Sequence, residues 1–288
     1  MTKHPREGSA GIEGASPGRA GGSAPRRPAG SPRFDVILFD ADGTLFDFER
    51  AEGHALSAAF ADLGEPWSDG FLPVYQLIND SLWREFEKGN ITTGYLRTER
   101  FARFCREVGS TADPAVFAGR YLARLGEASF LIDGTEAVVR RLFGRYRLAI
   151  ITNGLSEVQH ARIAHSPVAG LFEAVVVSEE VGVQKPEAGI FQATFDLLGI
   201  SDRSRAIMVG DSLSSDIQGG ANFGIATCWL NRRPGAAPGR SAPGEASGAP
   251  PAPSALESPD ARPDWEIFDL RELVAIVEDS TQGGYNRT

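Results

Sequence analysis

The sequence predicts an α/β fold, a doubly wound parallel sheet with an all-helical subdomain inserted after its first strand. Three observations carry this reading. Short apolar runs rich in β-branched residues alternate with longer segments of helical period, the signature of a parallel sheet covered on both faces. The interval 49–130 breaks that alternation and contains no convincing strand. Polar clusters recur at the carboxyl ends of the apolar runs. In order, strands are predicted at 34–40, 147–152, 174–178, 205–210 and 225–230, with helices near 135–144, 155–165, 187–199 and 213–222. A structureless loop as long as 49–130 is implausible inside a compact domain. That interval therefore reads as several helices, with turns at Gly64 to Pro66, Gly89-Asn90 and Gly109 to Pro114. Residues 264–268 predict an edge strand and 269–278 a closing helix.

The domain plan follows from composition. Of residues 1–33, 21 are Pro, Gly, Ala or Ser, and so are 24 of the 32 residues in 232–263. Neither stretch can bury enough apolar surface to offset the entropy of ordering it, so both are expected to be disordered. The folded body is then a core from 34–48 and 131–231, a helical insert over 49–130, and a strand and helix within 264–280 that complete the core beyond a linker. Tail and linker are both net basic, so this body is more acidic than the whole chain's net charge of −9. Such acidity is a poor match for polymeric nucleic acid or an anionic membrane, and it requires any anionic substrate to be small and locally compensated. Cys105 and Cys228 form no CxxC pair and read as free thiols of a reducing cytosol. No apolar run reaches membrane-span length, and the N-terminus has no secretory apolar core. The tail is Arg-rich, but its Gly and Pro density opposes the amphipathic helix of a transit peptide. A cytoplasmic location is expected.

Chemistry concentrates at the ends of the strands. The first runs into FDVILFDADGTLFDF, where Asp40 and Asp42 are hard to explain as core. Asp is depleted in strands and costly to bury unpaired. The two-residue period sends both carboxylates to one side, at the sheet edge where open α/β folds bind ligands. A turn explains Asp42-Gly43 but not Asp40. Thr152 and Asn153 close the second strand, Lys185 precedes a proline-started helix after the third, and Asp211 closes the fourth, with Asp216 one turn beyond. Singly, each has an ordinary alternative as a helix cap or a solvated lysine. Together, four polar clusters on one edge of one sheet form a site. Carboxylates without His or Cys favour a hard ion such as Mg²⁺ over zinc. A hydroxyl, an amide and a lysine are suitable donors to phosphate oxygens. An acidic cleft would repel a phosphate dianion, so both the metal and Lys185 are required before a carboxylate could attack phosphorus.

DxDGT at 40–44, Thr152-Asn153, Lys185-Pro186 and GDSLSSD at 210–216 resemble, in order, the four motifs of the haloacid dehalogenase superfamily. SEEVGVQKPEAGIF, ISDRSRAIMVGDS, GIATCWLN and the insert's LW and GNIT further resemble its pyrimidine 5′-nucleotidase subgroup, which acts on noncanonical pyrimidine nucleoside monophosphates. The long N-terminal tail and the 232–263 stretch depart from that subgroup without touching a motif. The resemblance implies a Rossmann-like core and a helical cap over the site. By it, Asp40 is the nucleophile forming an aspartyl-phosphate, and Asp42 is general acid and then general base. Mg²⁺ would be held by Asp40, the Asp42 backbone carbonyl and Asp211, with Asp216 nearby or acting through water. Thr152 and the Asn153 amide would hold phosphate oxygens, and Lys185 would neutralise the nucleophile and the transferring group. A carboxylate at Asp42 favours a phosphatase or phosphomutase over a dehalogenase or an ion pump. Phe46, Phe48, Tyr75, Trp83 and Phe86 are candidates to stack on a pyrimidine, with Phe46 and Trp83 foremost, although most could instead pack the cap's own core. Arg100 could reach a phosphate or a base carbonyl. Rival readings are a phosphoglycolate or sugar-phosphate phosphatase, a phosphomutase, and a non-catalytic receiver-like module. The last is disfavoured by its smaller size and its lack of an insert and of a second Asp.

Overall fold

A computed structural model describes residues 33–232 and 262–278. Apart from their border residues, the two stretches expected to be disordered, 1–33 and 232–263, lie outside the described residues.

Strand β1 (Val36–Phe39) is buried at every position because it has neighbours on both edges and layers on both faces. It pairs in parallel with β2 (Arg147–Thr152) and with β4 (Ala206–Gly210), Phe39 lying opposite Ile150 and Val209. β3 (Ala174–Val177) extends the sheet beyond β2, and β5 (Ala226–Leu230) and β6 (Trp265–Ile267) extend it beyond β4. The order is β3-β2-β1-β4-β5-β6. The chain thus winds outward from β1 on one side, returns, and winds outward on the other. The crevice at that reversal, between the carboxyl ends of β1 and β4, is where ligands enter such sheets.

The two-residue period of β1 divides its side chains between two cores. Ile37 and Phe39 pack toward Val138, Val139 and Leu142 of α5 (Thr135–Leu142) and toward Leu273 and Val277 of α10 (Leu273–Glu278). Val36 and Leu38 face Ile190, Phe191 and Phe195 of α8 (Ala188–Leu198) and Phe223 of α9 (Gln218–Phe223). Continued past the strand, this parity places Asp40 on the Val36 and Leu38 side.

The interval after β1 is helical: α1 (Phe48–Asp62), α2 (Phe71–Glu87), α3 (Thr93–Val108) and α4 (Pro114–Glu127). The predicted breaks fall between them. Asp113 accepts from the amides of Ala115 and Val116 ahead of a first-turn proline, a strong N-terminal signal. Gly109 ends α3 at φ +71°, a conformation that favours glycine. The four helices enclose an aromatic core, with the Phe60 ring centroid 5.1 Å from Phe117 and 6.1 Å from Phe104. That core continues into the sheet domain through Leu155 and through Val158 of α6 (Ser156–Ala164). Arg97 of α3 also reaches across the divide, to Glu157 at 3.2 Å and to Glu179 at 3.1 Å. Glu179 belongs to α7 (Ser178–Val181), a single turn that extends β3 and is too short to leave a periodic signal in the sequence.

The helix expected over 213–222 opens instead with a wide turn, Leu213–Ile217, in which the Ile217 amide donates to the Ser212 carbonyl at 3.2 Å. This widening accompanies the inward turn of Asp216, whose Oδ2 accepts from the Ser212 amide at 3.0 Å. The closing helix likewise begins as a tight turn, Leu270–Glu272, capped by Asp269 and Glu272 in reciprocal hydrogen bonds. No helix among the described residues is long and apolar enough to cross a membrane.

Candidate active site

The carboxyl ends of β1 and β4 bring Asp40, Asp211 and Asp216 together. One carboxylate oxygen of each lies within 4.8 Å of the others. Asp40 is fixed by its backbone, its amide donating to the Val209 carbonyl at 2.9 Å. Lys185 enters from the opposite side. Its ammonium donates to Asp40 Oδ1 at 2.5 Å, to Asp216 Oδ1 at 2.7 Å and to the Ile151 carbonyl at 2.9 Å, which engages all three of its protons. Asn153 pins the lysine's main chain from both directions: its Oδ1 accepts from the Lys185 amide at 2.8 Å, and its Nδ2 donates to the Lys185 carbonyl at 2.9 Å. Thr152 is buried, and its Oγ1 accepts from the Gly154 amide at 3.1 Å, a bond that leaves the hydroxyl proton available to another acceptor.

Charge in the cluster does not balance. Burial pushes Asp40 well above the usual carboxylate range; Lys185 pulls it back, and Asp216 and Asp211 push it higher. Asp211 is exposed at the rim of the cluster, yet its carboxyl is pushed up to about 7 by desolvation and then by Asp216. Burial opposes the charge on Lys185, but Asp216 and Asp40 outweigh it and hold the lysine above its ordinary value. Three carboxylates against one ammonium leave excess negative charge in a small volume lined by hard oxygen donors. A divalent, oxygen-seeking cation fits that set.

Close backbone approach shapes the cluster. A Cβ on Gly43, whose φ is +83°, would lie 2.2 Å from Asp211 Oδ2, and one on Gly210 would lie 2.2 Å from Asp216 Oδ2. Thr44 Oγ1 donates to Asp211 Oδ1 at 3.4 Å, and the Trp229 indole donates to the Asp211 carbonyl at 2.9 Å. Gly43→Ala is therefore expected to displace Asp211. Mg²⁺ affinity by calorimetry should fall at least about tenfold, and stability by about 1–2 kcal/mol from the left-handed backbone alone. Wild-type Mg²⁺ affinity in this variant would show that the cation does not depend on Asp211.

Asp42 departs from the cluster. Its Oδ1 accepts from Arg162 Nη1 and its Oδ2 from Gln159 Nε2 at 2.6 Å, both on α6. Any contribution of Asp42 to a cation would thus come from its backbone carbonyl. Sequence reasoning missed Gln159 and Arg162. The available signal was their spacing of three on a predicted helix, which puts them on one face.

The aromatic candidates separate. Phe46 is 0 % exposed, its ring turned under the loop into the core shared with α5, so it cannot offer a face to a base, contrary to expectation. Tyr75 is also fully buried, within the helical core. Phe48 packs against that same core. Arg100 is buried too, donating to Asn79 Oδ1 at 3.2 Å inside the insert. Trp83 and Phe86 remain, edge to face at 5.5 Å, on the wall of a cleft of about 340 Å³. Asn153, Gly154 and Gln184, chain neighbours of Thr152 and Lys185, line the same cleft. A larger depression of about 460 Å³ lies against Asp35 and Arg147, at the opposite ends of the strands, away from every carboxylate above.

Comparison with known proteins agrees with this geometry. Residues 34–224 match the haloacid dehalogenase-like hydrolase family. The chain is 36 % identical over 199 residues to the pyrimidine 5′-nucleotidase YjjG of Escherichia coli (strain K12), covering 69 % of this chain and 87 % of that protein. It is 33 % identical over 247 residues to the pyrimidine 5′-nucleotidase PynA of Streptococcus pneumoniae, covering 85 % and 95 %. Among solved structures, the magnesium-bound HAD-hydrolase YfnB of Bacillus subtilis superimposes with a TM-score of 0.71 at 32 % identity, covering 85 % of this chain and 99 % of that one.

Proposed function

Because the chain belongs to the haloacid dehalogenase-like hydrolase family, we propose that it is a Mg²⁺-dependent phosphatase that removes the 5′-phosphate of pyrimidine nucleoside monophosphates. Asp40 attacks phosphorus through Oδ2, because Oδ1 is held by Lys185. The new Asp40–phosphorus bond forms as the bond to the nucleoside oxygen breaks, and Asp42 gives that oxygen a proton. Asp42 then takes a proton from the water that hydrolyses the aspartyl-phosphate, which restores the Asp40 carboxylate and releases inorganic phosphate. Thr152 and the Asn153 amide orient phosphate oxygens, while Lys185 stabilises the charge that develops on them. Mg²⁺, held by Asp40, Asp211, Asp216 and the Asp42 carbonyl, would neutralise phosphate charge when bound.

The nucleotide reading rests on the Trp83 and Phe86 cleft, which adjoins Asn153 and Gln184 and is large enough for a small ligand. A planar base can stack on such walls, whereas a sugar phosphate leaves them without a partner. A panel of phosphate esters assayed with Mg²⁺ tests this. UMP, dUMP and dTMP should exceed sugar phosphates and phosphoglycolate by at least about tenfold in kcat/KM, roughly the discrimination that one well-packed apolar contact provides. Equal rates would reject the nucleotide assignment. Activity unaffected by EDTA would reject the metal.

A further inference from the structure

Asp42 is the acid and base of the proposed reaction, yet in this structure both of its carboxylate oxygens are held by donors on α6, and its carboxylate does not join the cluster of Asp40, Asp211 and Asp216. Arg162, which holds Oδ1, is 0 % exposed and sits 5.5 Å from the Phe46 ring centroid and 5.7 Å from that of Phe48. Among the described residues its Nε and Nη2 are buried without a hydrogen-bond partner, and the Asp42 carboxylate is the anion that compensates this interior guanidinium. Gln159, itself buried, holds Oδ2, and its own Oε1 is likewise without a partner among the described residues. Gly154 leaves room for it: a Cβ there would lie 2.2 Å from Gln159 Nε2. A fully buried cation and a buried amide, each with unused polar atoms, are costly to build. Their common product is one defined position for one carboxylate.

That position matters because the cleft is already too negative. Were the Asp42 side chain free to turn toward Asp40, a fourth carboxylate would stand where a phosphate dianion must enter. We propose that Arg162 and Gln159 are positioning residues that dock Asp42 outside the phosphate cradle between turnovers, which keeps the cradle open to an incoming dianion. Asp42 leaves the dock only once the phosphate is seated: the carboxylate takes up a proton from solvent as it parts from Arg162, gives that proton to the leaving oxygen, and returns the proton it later takes from water to solvent when it redocks. This inference rests on the phosphatase reading above.

Inorganic phosphate is the probe, titrated by calorimetry in the presence of Mg²⁺. Arg162→Met removes one side of a buried pair, but the carboxylate left behind is that of half-buried Asp42, which can rehydrate, so the loss of stability should stay below that of a fully buried pair and the variant should fold. Phosphate should bind it about tenfold more weakly than wild type, and KM for the best nucleotide should rise by a similar factor, with kcat changed less than about threefold. Gln159→Leu should shift both in the same direction by a smaller factor, and it carries the test alone if Arg162→Met is recovered unfolded. In Arg162→Met/Asp42→Asn the charge to be docked is gone, and phosphate affinity should return to within about threefold of wild type. Unchanged phosphate affinity in both single variants overturns the dock, as does a loss of equal size in the double variant, which would mean Arg162 acts through the fold alone. A wild type that binds no phosphate with Mg²⁺ present overturns the phosphatase reading, and the dock with it.

Discussion

Asp40→Asn is expected to lower phosphate-ester turnover by at least about 10⁴-fold, the scale on which removal of a covalent nucleophile acts, while leaving a folded protein. The fold survives because Asn is isosteric and the Lys185 ammonium keeps Asp216 and the Ile151 carbonyl as acceptors. In EDTA the variant should in fact unfold at the same or a higher temperature than wild type near pH 7. The sign follows from burial: the folded protein holds the Asp40 pKa well above its ordinary value, so ionised Asp40 penalises the native state. Stability from this group is fully present below the ordinary carboxylate pKa and is lost as pH rises through the raised one. The advantage of Asn should therefore shrink as pH falls below about 4, where the carboxyl is protonated in both states. Thermal unfolding at several pH values, with rapid-quench detection of phosphorylated protein, checks both halves. Phosphate incorporated by the variant would exclude Asp40 as the nucleophile.

Lys185→Met should be severe in a different way. The ammonium is the one cation in hydrogen-bond contact with Asp40 and Asp216 among the described residues, and it is 2 % exposed. Its removal leaves like charges facing one another in a site that cannot rehydrate them. Breaking one side of a buried pair costs about 3–5 kcal/mol, which for a body of this size corresponds to a fall in Tm of roughly 10 °C or more. Mg²⁺ should recover part of this loss, because a second positive charge is then present among the same oxygens. Turnover should fall at least about 10³-fold even in Mg²⁺, since the lysine also bears on the transferring phosphate. A variant that melts at the wild-type temperature in EDTA would mean the three carboxylates are not mutually repulsive as arranged here.

Sheet and cluster were legible for a shared reason: both are set by short-range periodicity. The alternation along Val36–Phe39 fixes which face each residue takes, and continuing it one step places Asp40. The corresponding ends of β2 and β4 supply Thr152 and Asp211 by the same rule. What stayed hidden depends on contacts between distant segments. Nothing in the sequence beyond its spacing from Gln159 singles out Arg162 on the helix near 155–165; that it is fully buried, over Phe46 and Phe48, depends on segments more than a hundred residues away in the chain. Phe46 is a stacking candidate in the sequence because aromatics near a catalytic loop can stack on ligands, with core packing as the alternative. Its ring is instead turned into the core, where the Phe46 amide and carbonyl close the loop on Ala41 and Gly43. Tyr75 and Trp83 lie on one helix and look alike in sequence, but one faces the insert's interior and the other the cleft.

Glycine at positions 43, 154 and 210 has a further consequence. At each, the space that a methyl group would occupy is filled by a working atom: Asp211 Oδ2, Gln159 Nε2 or Asp216 Oδ2. The main chain here serves as a mould, and the polar groups are cast into its hollows. A saturation scan of tolerance to substitution would rank these chemically silent residues beside the carboxylates themselves. An inventory of functional groups would leave them out.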